Sequence, residues 1–366
     1  MHNQQLLRVA IIGLGAVTRN IHLPAYATLA NKIKIVAGCD VDNAARKIAQ
    51  EKFGVPEVFD DPVKMLEDTA PDIVSICTPP SLHVEQTLMC LERGCHVFCE
   101  KPLAESLEDG RKLVRAADDA GRFVVVNNQF PFMNIHRAAK SAIGSPEFGR
   151  LLFLQAWQVF HPDEMTEADW RGRLRQRLCF EFGIHVFSLV RYFFDDEPVA
   201  ISAQMPNPLS RFHSDALNLI TLEFADGRAA SIILNRLSNA PERYLDMRLD
   251  GENASVYTSI GGEIRLEAGL HTRQKIPFLG LNFVKGGKAV LQKGTKSKII
   301  AKDGINPFAS STAYHFANFI EAIREDKTPP GTVRDNLKTL ALVFAAYDSA
   351  EARQVIKLED YTKEFN

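Results

Sequence analysis

Apolar and polar positions along the first third of the chain follow two alternating rhythms. Compact apolar runs at residues 7–12, 32–39, 72–77, 96–99 and 122–126 read as buried strands, with a further short strand near Val58. Between them, residues 17–30, 42–53, 63–68, 82–93 and 107–120 carry the spacing of helices. Pro24 either kinks the first of these helices or delays its start. Ser106 and Asp109 form a capping box at the head of the last. Strands that alternate with helices need crossover connections, which predicts a parallel sheet covered on both faces.

Beyond Asn128 the pattern changes. A helix is expected over 135–143, a strand over 151–159 and a helix over 181–194, followed mostly by strands. Residues 216–224 and 228–236 flank Ala225-Asp226-Gly227, and 244–250 and 254–259 flank Gly251-Glu252-Asn253, so both pairs read as hairpins. Helices over 314–325 and 334–353 close the chain, separated by Thr328-Pro329-Pro330-Gly331. Their apolar faces must pack on the second domain or return to the first. The fold class is therefore α/β: an N-terminal Rossmann domain over 1–127 and an α+β domain over 128–366 built on a large, mainly antiparallel sheet.

A chain of 366 residues accommodates about two domains. Its formal charge of −2 offers no general attraction to nucleic acid or to an anionic membrane. Residues 1–8 lack the basic-then-apolar pattern of a secretion signal, and no apolar run approaches the ~18 residues that span a bilayer, so the cytoplasm is expected. The six cysteines are accordingly expected to be reduced thiols. Cys90, Cys95, His96 and Cys99 cluster, but a strand entering at His96 sets Cys95 and Cys99 about 13 Å apart. Zinc needs its sulfurs within about 4 Å of one another, so no metal is expected.

Gly13-Leu14-Gly15 follows the first strand directly, where glycines permit a tight turn and let backbone approach a pyrophosphate at a helix N-terminus. Ala16 and Val17 complete that segment, and Thr18 stands where the fingerprint has its third glycine. Asp40, at the end of the second strand, suits a ribose with free hydroxyls and repels a 2′-phosphate, so NAD is favoured over NADP. Arg46 lies close enough in sequence to work against that preference.

Three further stretches make the chain resemble the Gfo/Idh/MocA family of NAD(P)-dependent oxidoreductases, which includes glucose-fructose oxidoreductase and inositol dehydrogenase. They are Cys77-Thr78-Pro79-Pro80-Ser81-Leu82-His83, Cys99-Glu100-Lys101-Pro102-Leu103-Ala104 and Glu181-Phe182-Gly183-Ile184-His185, and the likeness continues through residues 347–358. The resemblance implies that Lys101 reaches both cofactor and substrate. It places Thr78, Pro79 and His83 near a cofactor ribose, Glu100 with the cofactor set, and Asn128 and Gln129 near the nicotinamide. It also sets Trp170 and Arg171 on the substrate rim.

Glu181 and His185 lie four residues apart, which on a helix puts a carboxylate and an imidazole on one face. With Lys101 they form the expected catalytic set: His185 as general base, Glu181 orienting the ring or binding substrate, Lys101 stabilising charge on the reacting oxygen. Two positions depart from the family pattern. Glu181 stands where aspartate is usual, and Ser188 where a second aspartate is common.

The expected function is NAD-dependent hydride transfer between a secondary hydroxyl of a sugar, inositol or related polyol and the nicotinamide. Two alternatives stay open: a tightly held NAD used transiently for epimerisation or elimination, and a silent NAD-binding sensor. Lys285, Lys288, Lys293, Lys296, Lys298 and Lys302 read as solvated lysines that protect strand edges rather than as a nucleic-acid track. The broad second sheet, with Phe153, Trp157 and Phe160, predicts a homo-oligomer, either dimer or tetramer.

Overall fold

The computed structural model describes residues 5–160, 170–209, 213–239, 243–260, 264–270, 277–283 and 287–362. The early apolar runs become β1 (Leu7–Ile12), β2 (Ile33–Cys39), β3 (Glu57–Phe59), β4 (Ile73–Ile76), β5 (His96–Cys99) and β6 (Val124–Val126). They form one sheet in the order β3-β2-β1-β4-β5-β6, and every neighbouring pair is parallel. Each strand therefore ends at the same edge. The order reverses between β1 and β4, the switch point at which such open sheets receive ligands.

The helices between these strands form where their spacing and caps predict. Asp42 accepts from the Ala44 N–H at 2.9 Å to start Asn43–Phe53. Ser106 accepts from Asp109 N–H at 3.1 Å to start Leu107–Ala120. The first helix departs from the expected regular stretch: a π turn over Thr18–His22 runs into an α-helix over Leu23–Ala27. Pro24 falls in the first turn after that change of register, where an absent N–H is tolerated.

The helix expected from Tyr314 begins seven residues earlier, over Pro307–Glu325. Ser310, Ser311 and Thr312 are weak helix formers that hid its start, and Pro307 is preorganised for a first helical position. Phe316 and Phe319 from this helix are fully buried with Val9, Ile11, Tyr26 and Phe98 in a single apolar cluster. The Phe98 ring meets Phe316 edge-on at 4.9 Å and stacks on Phe319 at 5.9 Å.

The chain thus forms two units. One comprises Met1–Phe132, Phe308–Ala345 and Glu359–Asn366; the other comprises Met133–Pro307 and Ala346–Leu358. The first keeps Asn128 and Gln129, beyond the boundary drawn at residue 127.

The second unit is built on β7 (Leu151–Val159), β8 (Ala200–Gln204), β9 (Leu217–Glu223), β10 (Ala229–Asn235), β11 (Arg243–Gly251) and β12 (Ser255–Ile260). A separate ladder pairs β13 (Ile264–Leu270) with β14 (Pro277–Phe283). The main sheet adds β15 (Lys288–Lys293), β16 (Lys296–Lys302) and β17 (Ile356–Lys357), in the order β16-β15-β12-β11-β7-β10-β9-β8-β17.

Both expected hairpins are present, as β9/β10 and β11/β12. Only β7 and β10 pair in parallel, so the sheet is mainly antiparallel as expected. β16 is an outer strand whose lysines face solvent; Lys285 lies outside the described residues. No helix among the described residues is long and apolar enough to cross a membrane.

Candidate active site and cofactor cradle

Five consecutive strand ends of the first sheet deliver the residues singled out in the sequence. Gly13 follows β1 with φ +90°, a left-handed conformation suited to glycine. A Cβ there would lie 2.8 Å from the backbone carbon and oxygen of Cys77, so the turn is closed on that side by β4's exit loop. A Cβ on Gly15 would meet nothing within 4 Å. Ala16 and Val17 are exposed at the head of the helix, and Thr18 is buried with its hydroxyl donating to the Gly13 carbonyl at 2.5 Å. Threonine therefore replaces the third glycine by satisfying the turn itself.

After β2, Asp40 accepts from Leu14 N–H at 2.7 Å and from Asp42 N–H at 2.9 Å, which fixes the carboxylate beside the glycine turn. Arg46 donates to the Asp40 and Val41 carbonyls at 2.6 and 3.1 Å and to Asn43 at 3.3 Å. That guanidinium is engaged with its own loop, which lessens its value to a 2′-phosphate.

The loops after β4 and β5 are tied together by His83. Its buried ring places Nδ1 2.8 Å from the Pro102 carbonyl and Nε2 2.8 Å from the Thr78 carbonyl, and burial lowers its pKa. Thr78 donates to Gln86 at 2.6 Å, while Pro79 is half-buried and Pro80 buried. Lys101 is half-buried at the turn that Pro102 continues.

Glu100 points inward rather than toward an open edge. Its Oε1 lies 2.7 Å from His22 Nε2 and accepts from Asn127 at 2.8 Å, and its Oε2 accepts from Lys101 N–H at 3.3 Å. Burial opposes charge on both partners. For His22 the Cys77 thiol, Tyr26 and the Glu100 hydrogen bond outweigh it, raising the imidazole well above its usual 6.5. For Glu100 the hydrogen bond and charge of His22, with Asn127, hold the carboxyl below its usual 4.5.

After β6, Asn128 and Gln129 are buried. Among the described residues, both polar side-chain atoms of Asn128 and the carbonyl oxygen of Gln129 have no hydrogen-bond partner. Unsatisfied buried amides are costly unless a ligand completes them. These amides, the open space at Gly15 and the fixed carboxylate of Asp40 fit a dinucleotide.

In the second unit Glu181 lies in a π turn, Cys179–Gly183, and His185 in the α-helix Ile184–Phe194 that follows. The pair expected on one regular helix therefore straddles a change of register. Glu181 is buried, accepting from Arg171 Nε at 2.9 Å and Arg177 Nε at 3.3 Å. His185 is buried and Ser188 partly so. Trp170 opens the 3₁₀ turn Trp170–Arg173 that carries Arg171.

The head of the Glu181 turn is held by Asp215, which accepts backbone N–H groups of Arg177 at 2.7 Å, Leu178 at 3.0 Å and Cys179 at 2.9 Å. Tyr347 donates its hydroxyl to Asp215 at 3.1 Å and accepts from Phe180 N–H at 3.2 Å. Burial, then Asp215, raise the Tyr347 phenol well above its usual 10.

Sequence reasoning missed His22, Tyr26, Ser75, Asn127, Arg177, Asp215 and Tyr347. Most of their roles are long-range pairings; local i,i+4 spacing could have signalled only Arg177 before Glu181 and Tyr26 after His22.

A parallel sheet that reverses beside a glycine turn, with an acid after its second strand, defines a dinucleotide-binding α/β protein. The second unit carries a buried acid and imidazole on one irregular helix. Residues 7–128 match the model described as "Oxidoreductase family, NAD-binding Rossmann fold", and residues 136–257 match the "GFO/IDH/MocA C-terminal domain". The chain belongs to the Gfo/Idh/MocA family of oxidoreductases and binds NAD.

It is 45% identical over 196 residues to a D-glucoside 3-dehydrogenase of Escherichia coli K12, an alignment spanning 51% of this chain and only 53% of that protein. It is 26% identical over 368 residues to a D-apiose dehydrogenase of Paraburkholderia graminis, covering 97% and 90% of the two chains. Among solved structures it resembles an oxidoreductase from Agrobacterium radiobacter in complex with NAD+, L-tartaric acid and magnesium. The TM-score is 0.80 at 18% identity, over 97% of this chain and 99% of that one.

Proposed function

We propose that the protein oxidises a secondary hydroxyl of a sugar, inositol or related polyol, with Lys101, Glu181 and His185 as its working side chains. The observation that carries this reading is the row of Gly13, Asp40, Thr78, Lys101 and Asn128 along successive C-terminal strand ends of one parallel sheet. The glycine turn, Ala16 and Val17 take the pyrophosphate, Asp40 the adenosine ribose, Thr78 and Pro79 the backbone-lined wall, and Asn128 with Gln129 the carboxamide. His83 and Glu100 hold these loops rather than touch the dinucleotide. The bound nicotinamide supplies a hydride acceptor.

Lys101 donates to the reacting oxygen as it gains carbonyl character, and a ring nitrogen of His185 takes the hydroxyl proton. Glu181 keeps Arg171 in place, and through it the rim that includes Trp170. The D-glucoside and D-apiose dehydrogenases support a sugar as the first substrate to try. The free cysteines accord with work in the reducing cytoplasm. The outer face of the second sheet is proposed as the surface of a homo-oligomer.

The test is a panel of glucosides, pentoses and inositols read at the NADH absorbance band, with Lys101→Ala and His185→Ala beside the parent. Each substitution is expected to lower kcat by about 10²–10³-fold. Turnover by Lys101→Ala at the parental rate overturns the assignment. Conversion of substrate without net NADH, by protein that retains NAD through purification, favours transient oxidation instead.

A further inference from the structure

We propose that His22 is a positioning residue for Lys101: a buried imidazolium that locks Glu100, whose carboxylate holds the turn on which Lys101 stands. The inference rests on the reading of Lys101 as the residue that works on the substrate oxygen. It is carried by the hydrogen-bond inventory around one ring.

His22 is wholly buried in the π turn after the glycine loop. Tyr26 donates its hydroxyl proton to Ser75 Oγ at 2.7 Å, so the oxygen it offers His22 Nδ1 at 3.0 Å is an acceptor. On the other side, Nε2 faces Glu100 Oε1 at 2.7 Å. Ser75 Oγ also lies 3.3 Å from Nδ1. A neutral ring with its N–H toward Glu100 would have only that longer contact to satisfy Nδ1 and would set its lone pair against the Tyr26 oxygen at 3.0 Å, whereas the imidazolium donates to both Tyr26 and Glu100.

Glu100 gives the same answer from its own side. Asn127 donates to Oε1 and the Lys101 N–H to Oε2, so both oxygens act as acceptors and the ionised carboxylate fits. The other titratable groups nearby are Cys77, whose Sγ is 3.6 Å from Ser75 Oγ, the buried Cys99 and His83, Lys101 itself, and His315. His315 is buried near Phe98 with its pKa lowered to about 4 by burial, so it adds no competing cation.

One ion pair thus gathers residues from the helix after β1, from β4 and from the ends of β5 and β6. Asn127 extends it to Thr312 at 3.2 Å on the helix Pro307–Glu325. Lys101 is the next residue along the chain from the carboxylate so held. Freeing Glu100 releases the bond from the Lys101 N–H to its Oε2.

The experiment uses the full chain with ¹⁵N-labelled histidine, together with His22→Gln, Glu100→Gln and the double variant H22Q/E100Q. The double variant removes both charges and leaves neither buried alone, so it keeps the test open if a single variant fails to fold. Without cofactor at pH 7.5, the ring signal lost in H22Q is expected to show two protonated nitrogens. Exchange of the Lys101 amide is expected to quicken in whichever histidine-substituted variant folds. With a substrate from the panel, kcat is expected to fall by about 10²-fold with KM changed far less.

A neutral His22 ring at pH 7.5 overturns the proposal. So does a folded H22Q or H22Q/E100Q protein with parental Lys101 exchange, or with parental kcat. A panel without any turnover counts against the hydride-transfer reading alone, because ring protonation and amide exchange decide on His22 without substrate.

Discussion

Gly13 and Gly15 are separated by one residue and face opposite demands. Gly13 has no room and an unfavourable φ for any side chain, because rigid Cys77 backbone stands 2.8 Å from its missing Cβ. Gly13→Ala is expected to cost about 2 kcal/mol or more of stability, seen as a lowered melting temperature without cofactor. Gly15→Ala is expected to melt within about 0.5 kcal/mol of the parent, since its Cβ meets nothing, yet to bind NADH about tenfold or more weakly by fluorescence titration. Equal effects of the two changes on stability would refute this division.

Asp40 is a third case. Its carboxylate is set by two backbone donors, and Asp40→Ala is expected to raise KM for NAD about tenfold while improving use of NADP. Steady-state rates with both cofactors check it. At this scale Gly13, Gly15, Asp40 and Lys101 were legible in the sequence, because each sits at a strand end recognisable from local pattern. The inward turn of Glu100 was not, since it depends on His22 arriving from the π turn after β1 and Asn127 from the end of β6.

At the scale of elements, a π turn stands near the start of each of two helices that carry proposed site residues: Thr18–His22 and Cys179–Gly183. A π turn shifts the register of the helix that follows, and such turns gather at functional positions. The second depends on Asp215, whose two oxygens take three backbone N–H groups at the helix head. Asp215→Ala is expected to cost about 2–4 kcal/mol by leaving those donors and Tyr347 without their acceptor, measured by denaturant unfolding. Asp215→Asn, which retains one carbonyl acceptor, is expected to lose less. The periodicity of 181–194 announced a helix and placed Glu181 near its start. It carried no sign of the π turn or of the two arginines on Glu181, because neither arises from local spacing.

For the whole molecule, the second sheet presents an apolar stripe on its outer face. Ile233 pairs with Trp157 on one side and Leu219 on the other, and Trp157 is 43% exposed although it is among the largest side chains in the chain. Exposed aromatic and aliphatic residues in register are costly unless another surface covers them. Trp157→Glu is expected to shift the protein to a smaller species in sedimentation with its circular dichroism unchanged. A parental sedimentation coefficient would count against the proposed homo-oligomer through this face.

By itself the amino-acid order determined the parallel sheet, the two hairpins, the glycine turn with its acid, and the family. Each of these is written in short-range periodicity or in a motif of a few adjacent residues. Only the folded chain decided that Pro307–Glu325 packs Phe316 and Phe319 into the nucleotide-binding unit, that His22 pairs with Glu100, and that Asp215 caps the Glu181 turn. Those contacts join residues far apart along the chain, and their energy comes from burial and from pairing charge away from water, which no local pattern encodes.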